Sequence, residues 1–105
     1  MQEVNFHDLR FDAPLPIGAQ ILWRGQTFTV AEHRPHTLRT GGATTLLRWQ
    51  FDCAECGRDT DYLTGWRAPR LSRRCVHHSR KGRLLPKGKR GPKGTAVLIL
   101  PESLF

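Results

Sequence analysis

Three cysteines and a nearby histidine pair are the residues of this chain whose types and spacing suit metal chemistry. Cys53 and Cys56 are separated by two residues, and after eighteen further residues Cys75 begins a second pair that ends at His78. C-x2-C followed by C-x2-H is the ligand spacing of a four-coordinate structural zinc site. Gly57 follows the first pair directly and allows the tight turn by which two side chains converge on one metal. The spacing therefore predicts one zinc ion bound by Cys53, Cys56, Cys75 and His78.

The predicted site has no open coordination position, because three thiolates and one imidazole complete a tetrahedron. We therefore expect the metal to be structural rather than catalytic. His77 is the alternative fourth ligand, but it lies only two residues from Cys75 and would have to bend back to reach the ion. A disulfide would use two of the three cysteines and leave the third. A redox-active C-x-x-C is disfavoured because residues 57–60 interrupt the helix that such a motif precedes.

Basic residues are concentrated in one segment of the chain. Residues 1–66 contain six arginines and eight acidic residues, whereas residues 67–94 contain eleven Arg and Lys residues and no acid. Phosphate neutralisation by such clusters supplies most of the non-specific affinity of proteins for nucleic acids. The alternative is a solvated segment whose charges only aid solubility, and the repulsion among so many like charges disfavours it. The predicted nucleic-acid-binding residues are Arg67, Arg70, Arg73, Arg74, Arg80, Lys81, Arg83, Lys87, Lys89, Arg90 and Lys93.

Alternating apolar and polar residues predict strands before the first cysteine pair. Residues 20–33 are predicted to form a hairpin, with the turn at residues 24–26. Residues 43–52 are the strongest predicted strand, and this strand leads directly into Cys53. Residues 34–42 are predicted to be a loop, because they include a proline and a Gly-Gly pair. The hairpin and the strand after it therefore predict a β-meander.

The remaining segments complete the predicted architecture. Residues 1–18 are expected to be a partly ordered arm that allows a short edge strand, and residues 59–66 a further short strand. The basic residues 79–94 are rich in glycine and proline, which predicts a flexible loop. The apolar run at residues 95–100 predicts a buried C-terminal strand. The fold class is thus a mainly β single domain over residues 1–105: a small antiparallel meander (19–52), one structural zinc module (53–78), the basic loop and the C-terminal strand.

The two ligand pairs resemble the knuckles of zinc-ribbon and treble-clef proteins, including small zinc proteins carried by bacteriophages. The resemblance lies in Cys53-Ala54-Glu55-Cys56-Gly57 and Arg73-Arg74-Cys75-Val76-His77-His78. It implies the same four ligands, and nucleic acid or a nucleic-acid-processing protein as the partner. In a zinc ribbon the second pair lies on another β knuckle, whereas in a treble clef it opens a short helix. Ser72 would suit the N-cap of such a helix, and the sequence leaves both classes open.

The sequence thus predicts a non-catalytic, cytoplasmic zinc-binding module that binds DNA or RNA. One alternative is a protein-interaction module or inhibitor that acts on a host nucleic-acid enzyme. Its support is the acidic and aromatic first part of the chain, whose aromatic residues could offer an interface: Trp23, Phe28, Trp49, Tyr62 and Trp66. A treble-clef nuclease is a further alternative, for which only His77, Asp59 and Asp61 are available as a base or as ligands for a second metal. No membrane partner is expected, because no segment is apolar enough to insert into a membrane.

Overall fold

The computed structural model describes residues 2–54, 56–74 and 94–101. These residues form one antiparallel sheet with strand order β1-β6-β2-β3-β4-β5, and no helix occurs among them. The predicted mainly β class is therefore confirmed. The strands are β1 (Gln2–Val4), β2 (Gln20–Trp23), β3 (Gln26–Thr37), β4 (Ala43–Asp52), β5 (Asp59–Gly65) and β6 (Ala96–Ile99).

Strands β2 to β5 form a meander that ends beside the first cysteine pair. The β2–β3 turn consists of Arg24 and Gly25, both with positive φ, at 49° and 79°. Positive φ at both central residues is the mark of a type I′ turn, whose twist matches that of the flanking strands. β4 has the bounds that the alternating pattern predicts and leads directly into Cys53. The meander thus fixes the position of the first candidate zinc ligand.

β3 is longer than the sequence predicts, so the predicted loop at residues 34–42 is wrong in its first part. Residues 34–37 pair with residues 43–46 of β4, and only residues 38–42 connect the two strands. Pro35 is tolerated within this strand because, in the part of the chain that the structure describes, no strand pairs with the other edge of β3 at that position. A proline on an unpaired edge does not interrupt a strand.

A β-bulge at Ala31 changes which residues of β3 point to each face of the sheet. Val30 lies opposite Trp49, whereas Glu32 lies opposite Arg48, so Ala31 is the extra residue. The shift places Glu32 on the solvent face, where its carboxylate accepts a 3.0 Å hydrogen bond from the Nε of Arg48. If Ala31 were paired in a regular ladder without the bulge, strict alternation from the buried Val30 would place the carboxylate of Glu32 on the core face.

The core lies on one face of the sheet, and the N-terminal segment covers it. The sequence predicts a partly ordered arm for residues 1–18, whereas in the structure Phe6, Leu9 and Leu15 are buried and β1 pairs with β6. Each such side chain stabilises a fold by about 1.5–3 kcal/mol when fully buried, which explains why the segment packs down. The buried hydrophobic residues of the core are Phe6, Leu9, Leu15, Ala19, Ile21, Phe28, Val30, Leu47, Trp49, Phe51, Ala96 and Leu98.

Candidate zinc knuckle and arginine cluster

The first cysteine pair lies on a closed turn between β4 and β5. The amide of Gly57 donates a 2.8 Å hydrogen bond to the carbonyl of Cys53, and the amide of Cys53 donates one of 2.9 Å to the carbonyl of Arg58. Gly57 has φ +73°, which an L side chain rarely adopts, so glycine suits this position. Cys53 is buried and Cys56 is exposed. A turn that carries two thiols three residues apart fits one half of a zinc site.

The chain before the second ligand pair lies against this turn. The amide of Ala54 donates a 2.8 Å hydrogen bond to the carbonyl of Arg73. The amide nitrogen of the Gln26 side chain donates to the same carbonyl at 3.0 Å and to the carbonyl of Asp52 at 2.8 Å. The Nε of Arg73 in turn donates to the Oε1 of Gln26 at 2.6 Å. Gln26 therefore connects the end of β4 to the segment that precedes the second ligand pair.

Two of the four predicted ligands, Cys53 and Cys56, lie in the described part of the structure. Cys75 and His78 lie outside the described residues, as does the alternative ligand His77. Within residues 2–54, 56–74 and 94–101, no three His, Cys, Asp or Glu side chains are grouped so that they could hold a metal ion. The prediction of zinc at Cys53, Cys56, Cys75 and His78 therefore stays a prediction.

The predicted nucleic-acid-binding residues divide in the same way. Arg67 and Arg70 are exposed, whereas Arg73 and Arg74 are partly buried beside the knuckle. The guanidinium of Arg67 lies over the ring of Trp66, with its carbon 5.1 Å from the ring centroid. The predicted residues outside the described part of the chain are Arg80, Lys81, Arg83, Lys87, Lys89, Arg90 and Lys93.

Arg73 has its guanidinium over the half-buried ring of Trp23, with its carbon 5.1 Å from the ring centroid. Burial, together with the positive charges of Arg24 and Arg74, lowers the pKa of Arg73 below its ordinary value. Burial is the larger cause, because removal from water penalises the charged form of any group. The smaller effect of Arg24 and Arg74 shows that three cationic side chains lie near one another here. Arg73 thus both supports the knuckle through Gln26 and contributes to a positive potential beside it.

Arg24 is a member of this cluster that sequence reasoning missed. Its guanidinium carbon lies 5.0 Å from the centroid of the same Trp23 ring, and its backbone is left-handed, with φ 49°. Its Nε is buried and has no hydrogen-bond partner within residues 2–54, 56–74 and 94–101. The sequence held one signal for it. Arg24 precedes Gly25 in a predicted hairpin turn, at a position where asparagine, aspartate or glycine is usual. We call Arg24, Arg73 and Arg74 the arginine cluster.

An acidic cleft of about 380 Å³ lies near the knuckle and bears on the nuclease hypothesis. Asp52, Asp59 and Asp61 line it, and Asp52 lies directly opposite Asp59 in the β4–β5 ladder. A hydrogen bond with Asp59, then burial, then the charge of Asp59 raise the pKa of Asp52. Asp61 accepts a 2.8 Å hydrogen bond from the Nη1 of Arg48. Both aspartates that a nuclease would use are thus engaged with neighbouring side chains.

No protein-family model matches this chain, and no curated protein or solved structure is significantly similar to it. The class of protein must therefore be argued from its residues and their geometry. Among the described residues, no helix is long and apolar enough to cross a membrane.

Proposed function

We propose that this protein is a non-catalytic zinc-binding module of the zinc-ribbon or treble-clef class that binds nucleic acid. Cys53, Cys56, Cys75 and His78 bind one structural zinc ion. The Arg- and Lys-rich residues that follow the knuckle contact the phosphate backbone.

The hydrogen bond from the amide of Ala54 to the carbonyl of Arg73 is the observation that carries the zinc proposal. Cys75 follows Arg73 by two residues, and two residues of fully extended chain span at most about 7 Å. Zn–S bonds are about 2.3 Å long, so ligands of one ion lie within a few ångströms of one another. Arg73 thus lies within two residues' reach of the first cysteine pair, which supports Cys75 as the third ligand.

The distribution of charge supports nucleic acid as the partner. Eleven Arg and Lys residues and no acid occur in residues 67–94, and two of them, Arg73 and Arg74, are described beside the knuckle. The segment is fixed at one end by Arg73 and at the other by β6, which pairs with both β1 and β2. A segment held at both ends loses less conformational entropy when it binds an extended polyanion. This favours phosphate contacts over a merely solubilising role.

The protein-interaction alternative loses part of its support in the structure. Of the five aromatic residues that suggested an interface, Phe28 and Trp49 are completely buried in the core. Phe6 stacks on the ring of Trp23 at a centroid distance of 4.1 Å. Tyr62 is the most accessible of the five and is 38% exposed. Core packing therefore accounts for most of the aromatic content of the first half.

A binding titration over a range of salt concentrations tests the proposal. Zinc-loaded protein is titrated against single-stranded DNA, duplex DNA and RNA probes of equal length. We expect the logarithm of the binding constant to fall linearly with the logarithm of the salt concentration, as phosphate neutralisation requires. The absence of binding to every probe at about 50 mM salt, with zinc at one ion per chain, would overturn the proposal. A stoichiometric protein partner that survives nuclease treatment would then favour the protein-interaction alternative.

A further inference from the structure

We propose that the arginine cluster at the β2–β3 turn is a binding site for a phosphate group. The proposal rests on the proposed function only where the phosphate is taken to belong to a nucleic acid. Free inorganic phosphate offers the same chemistry, and the experiment below separates the two sources.

The cluster is built from two distant parts of the chain. The guanidinium carbons of Arg24 and Arg73 lie 5.0 and 5.1 Å from the centroid of one indole ring, that of Trp23. The Nη2 of Arg73 donates a 3.4 Å hydrogen bond to the backbone carbonyl of Arg24. The adjacent Arg74 donates from its amide to the Oγ of Ser72 at 3.2 Å, which fixes its backbone. Two guanidinium groups thus lie over one aromatic ring, and the positive charge of Arg74 is close enough to act on Arg73.

Arg24 is the member whose presence the fold does not explain. Two-residue turns of this kind favour asparagine, aspartate or glycine, because left-handed backbone costs other residues free energy. Arg24 adopts φ 49° at this position, and its buried Nε has no hydrogen-bond partner among the residues that the structure describes. Within the described part of the chain, no carboxylate forms an ion pair with Arg24. A strained residue with an unsatisfied buried donor is expected where a ligand completes the site.

The ligand class follows from the chemistry of the donors. Guanidinium groups present planar pairs of N–H donors that match phosphate oxygens, and they keep their charge at any physiological pH. Like charges this close repel one another, so an anion between them removes a cost as well as adding hydrogen bonds. Arg73 and Arg74 are followed in the sequence by the other seven Arg and Lys residues of the basic segment. If the phosphate belongs to a nucleic acid, we expect those residues to contact its neighbouring phosphates.

The experiment compares the intact zinc-loaded protein with Arg24→Asn and with a control, Arg39→Asn. Asparagine suits a left-handed turn position, so Arg24→Asn removes the guanidinium and preserves the turn. Arg39 is exposed in the β3–β4 connection, away from the cluster, and gives the same change of charge. Thermal unfolding is measured in inorganic phosphate and in chloride at equal ionic strength. Binding to the nucleic-acid probes is measured in parallel.

We expect phosphate to raise the Tm of the wild-type protein and of Arg39→Asn above its value in chloride, and to leave Arg24→Asn unchanged. We also expect Arg24→Asn in chloride to unfold at the wild-type temperature or above it. If nucleic acid is the source of the phosphate, Arg24→Asn also lowers the salt slope of probe binding by about one unit. If the phosphate effect occurs and no probe binds, the site binds free phosphate and only the proposed function fails. Equal responses of the wild-type protein and Arg24→Asn to phosphate would overturn the proposal, as would a Tm of the wild-type protein that phosphate does not raise above its value in chloride.

Discussion

The backbone amide of Ala54 and the backbone carbonyl of Arg73 form a hydrogen bond of 2.8 Å that joins the two halves of the candidate zinc site. Ala54 lies inside the first ligand pair, and Arg73 precedes the second pair by two residues. The bond spans nineteen positions of sequence, yet it brings the chain back to the end of β4. The fold alone therefore aligns the segment that precedes the other two predicted ligands.

Gln26 supports this alignment, and its removal should weaken both folding and zinc binding. Gln26→Ala deletes the donor to the carbonyls of Asp52 and Arg73 and the acceptor for the Nε of Arg73. We expect a loss of about 1–2 kcal/mol in the free energy of unfolding. Urea unfolding at fixed zinc concentration measures that loss, and competition with a chelator measures the affinity for zinc.

Gln20→Ala is the matched control for this experiment. Among the described residues, the side chain of Gln20 forms one longer hydrogen bond, 3.4 Å from its Nε2 to the Oγ1 of Thr29. We expect its removal to cost less than about 0.5 kcal/mol and to leave zinc affinity unchanged. Equal losses in the two variants would show that Gln26 has no special connection to the knuckle.

The core contains one polar contact whose loss should be measurable. The indole Nε1 of Trp49 donates a 2.9 Å hydrogen bond to the Oγ1 of Thr64, and both side chains are buried. Thr64→Val removes the acceptor and leaves the indole N–H unsatisfied, which should cost about 1–2 kcal/mol. Thr44→Val, on the opposite face of β4, should change stability by less than about 0.5 kcal/mol. Chemical denaturation of both variants measures their free energies of unfolding. A Thr64→Val protein as stable as the wild type would refute the prediction.

The sequence predicts those elements whose pattern is local. The alternation from Ala43 to Asp52 gives the bounds of β4, and the β2–β3 hairpin and β6 are found where turn and apolar signals place them. Strand β5 begins where predicted, at Asp59, and ends at Gly65, one residue before Trp66. Such signals suffice because each depends on side chains within a few residues of one another.

The features that the sequence did not predict depend on distant partners. Pro35 suggested a loop, but β3 tolerates it because no strand in the described part of the chain pairs with the other edge of β3 at that position. Phe6 and Leu9 are buried because the face formed by the later strands needs a cover, which no pattern within residues 1–18 shows. Arg24 joins Arg73 through the packing of both guanidinium groups on Trp23 and through the hydrogen bond from Arg73 to the Arg24 carbonyl. In each case the deciding contact lies far away in the chain.

The proposed phosphate contacts of the basic segment predict a specific change in salt dependence. Replacing four of its residues with glutamine should weaken binding to all probes alike and reduce the slope of log K against log salt by roughly one unit per lost contact. The residues replaced are Lys87, Lys89, Arg90 and Lys93. Fluorescence anisotropy at several salt concentrations measures the slope for the single-stranded, duplex and RNA probes.

A control with arginines from elsewhere in the chain separates local contacts from net charge. Arg10, Arg34 and Arg39 are exposed and lie outside the basic segment. Their combined replacement with glutamine should change the salt slope much less than replacement within the segment. If the two sets change affinity and slope equally, overall charge accounts for the binding, and the segment has no special role.

Zinc content is the measurement that tests the account most directly. Elemental analysis of the purified protein should find one zinc ion per chain. Cys53→Ser, Cys56→Ser, Cys75→Ser and His78→Ala should each lose most of it, because each removes one of four ligands. His77→Ala, at the neighbouring position, should retain the full content and serves as the matched control. A wild-type protein without zinc, or full occupancy in two or more of the four ligand variants, would contradict the account.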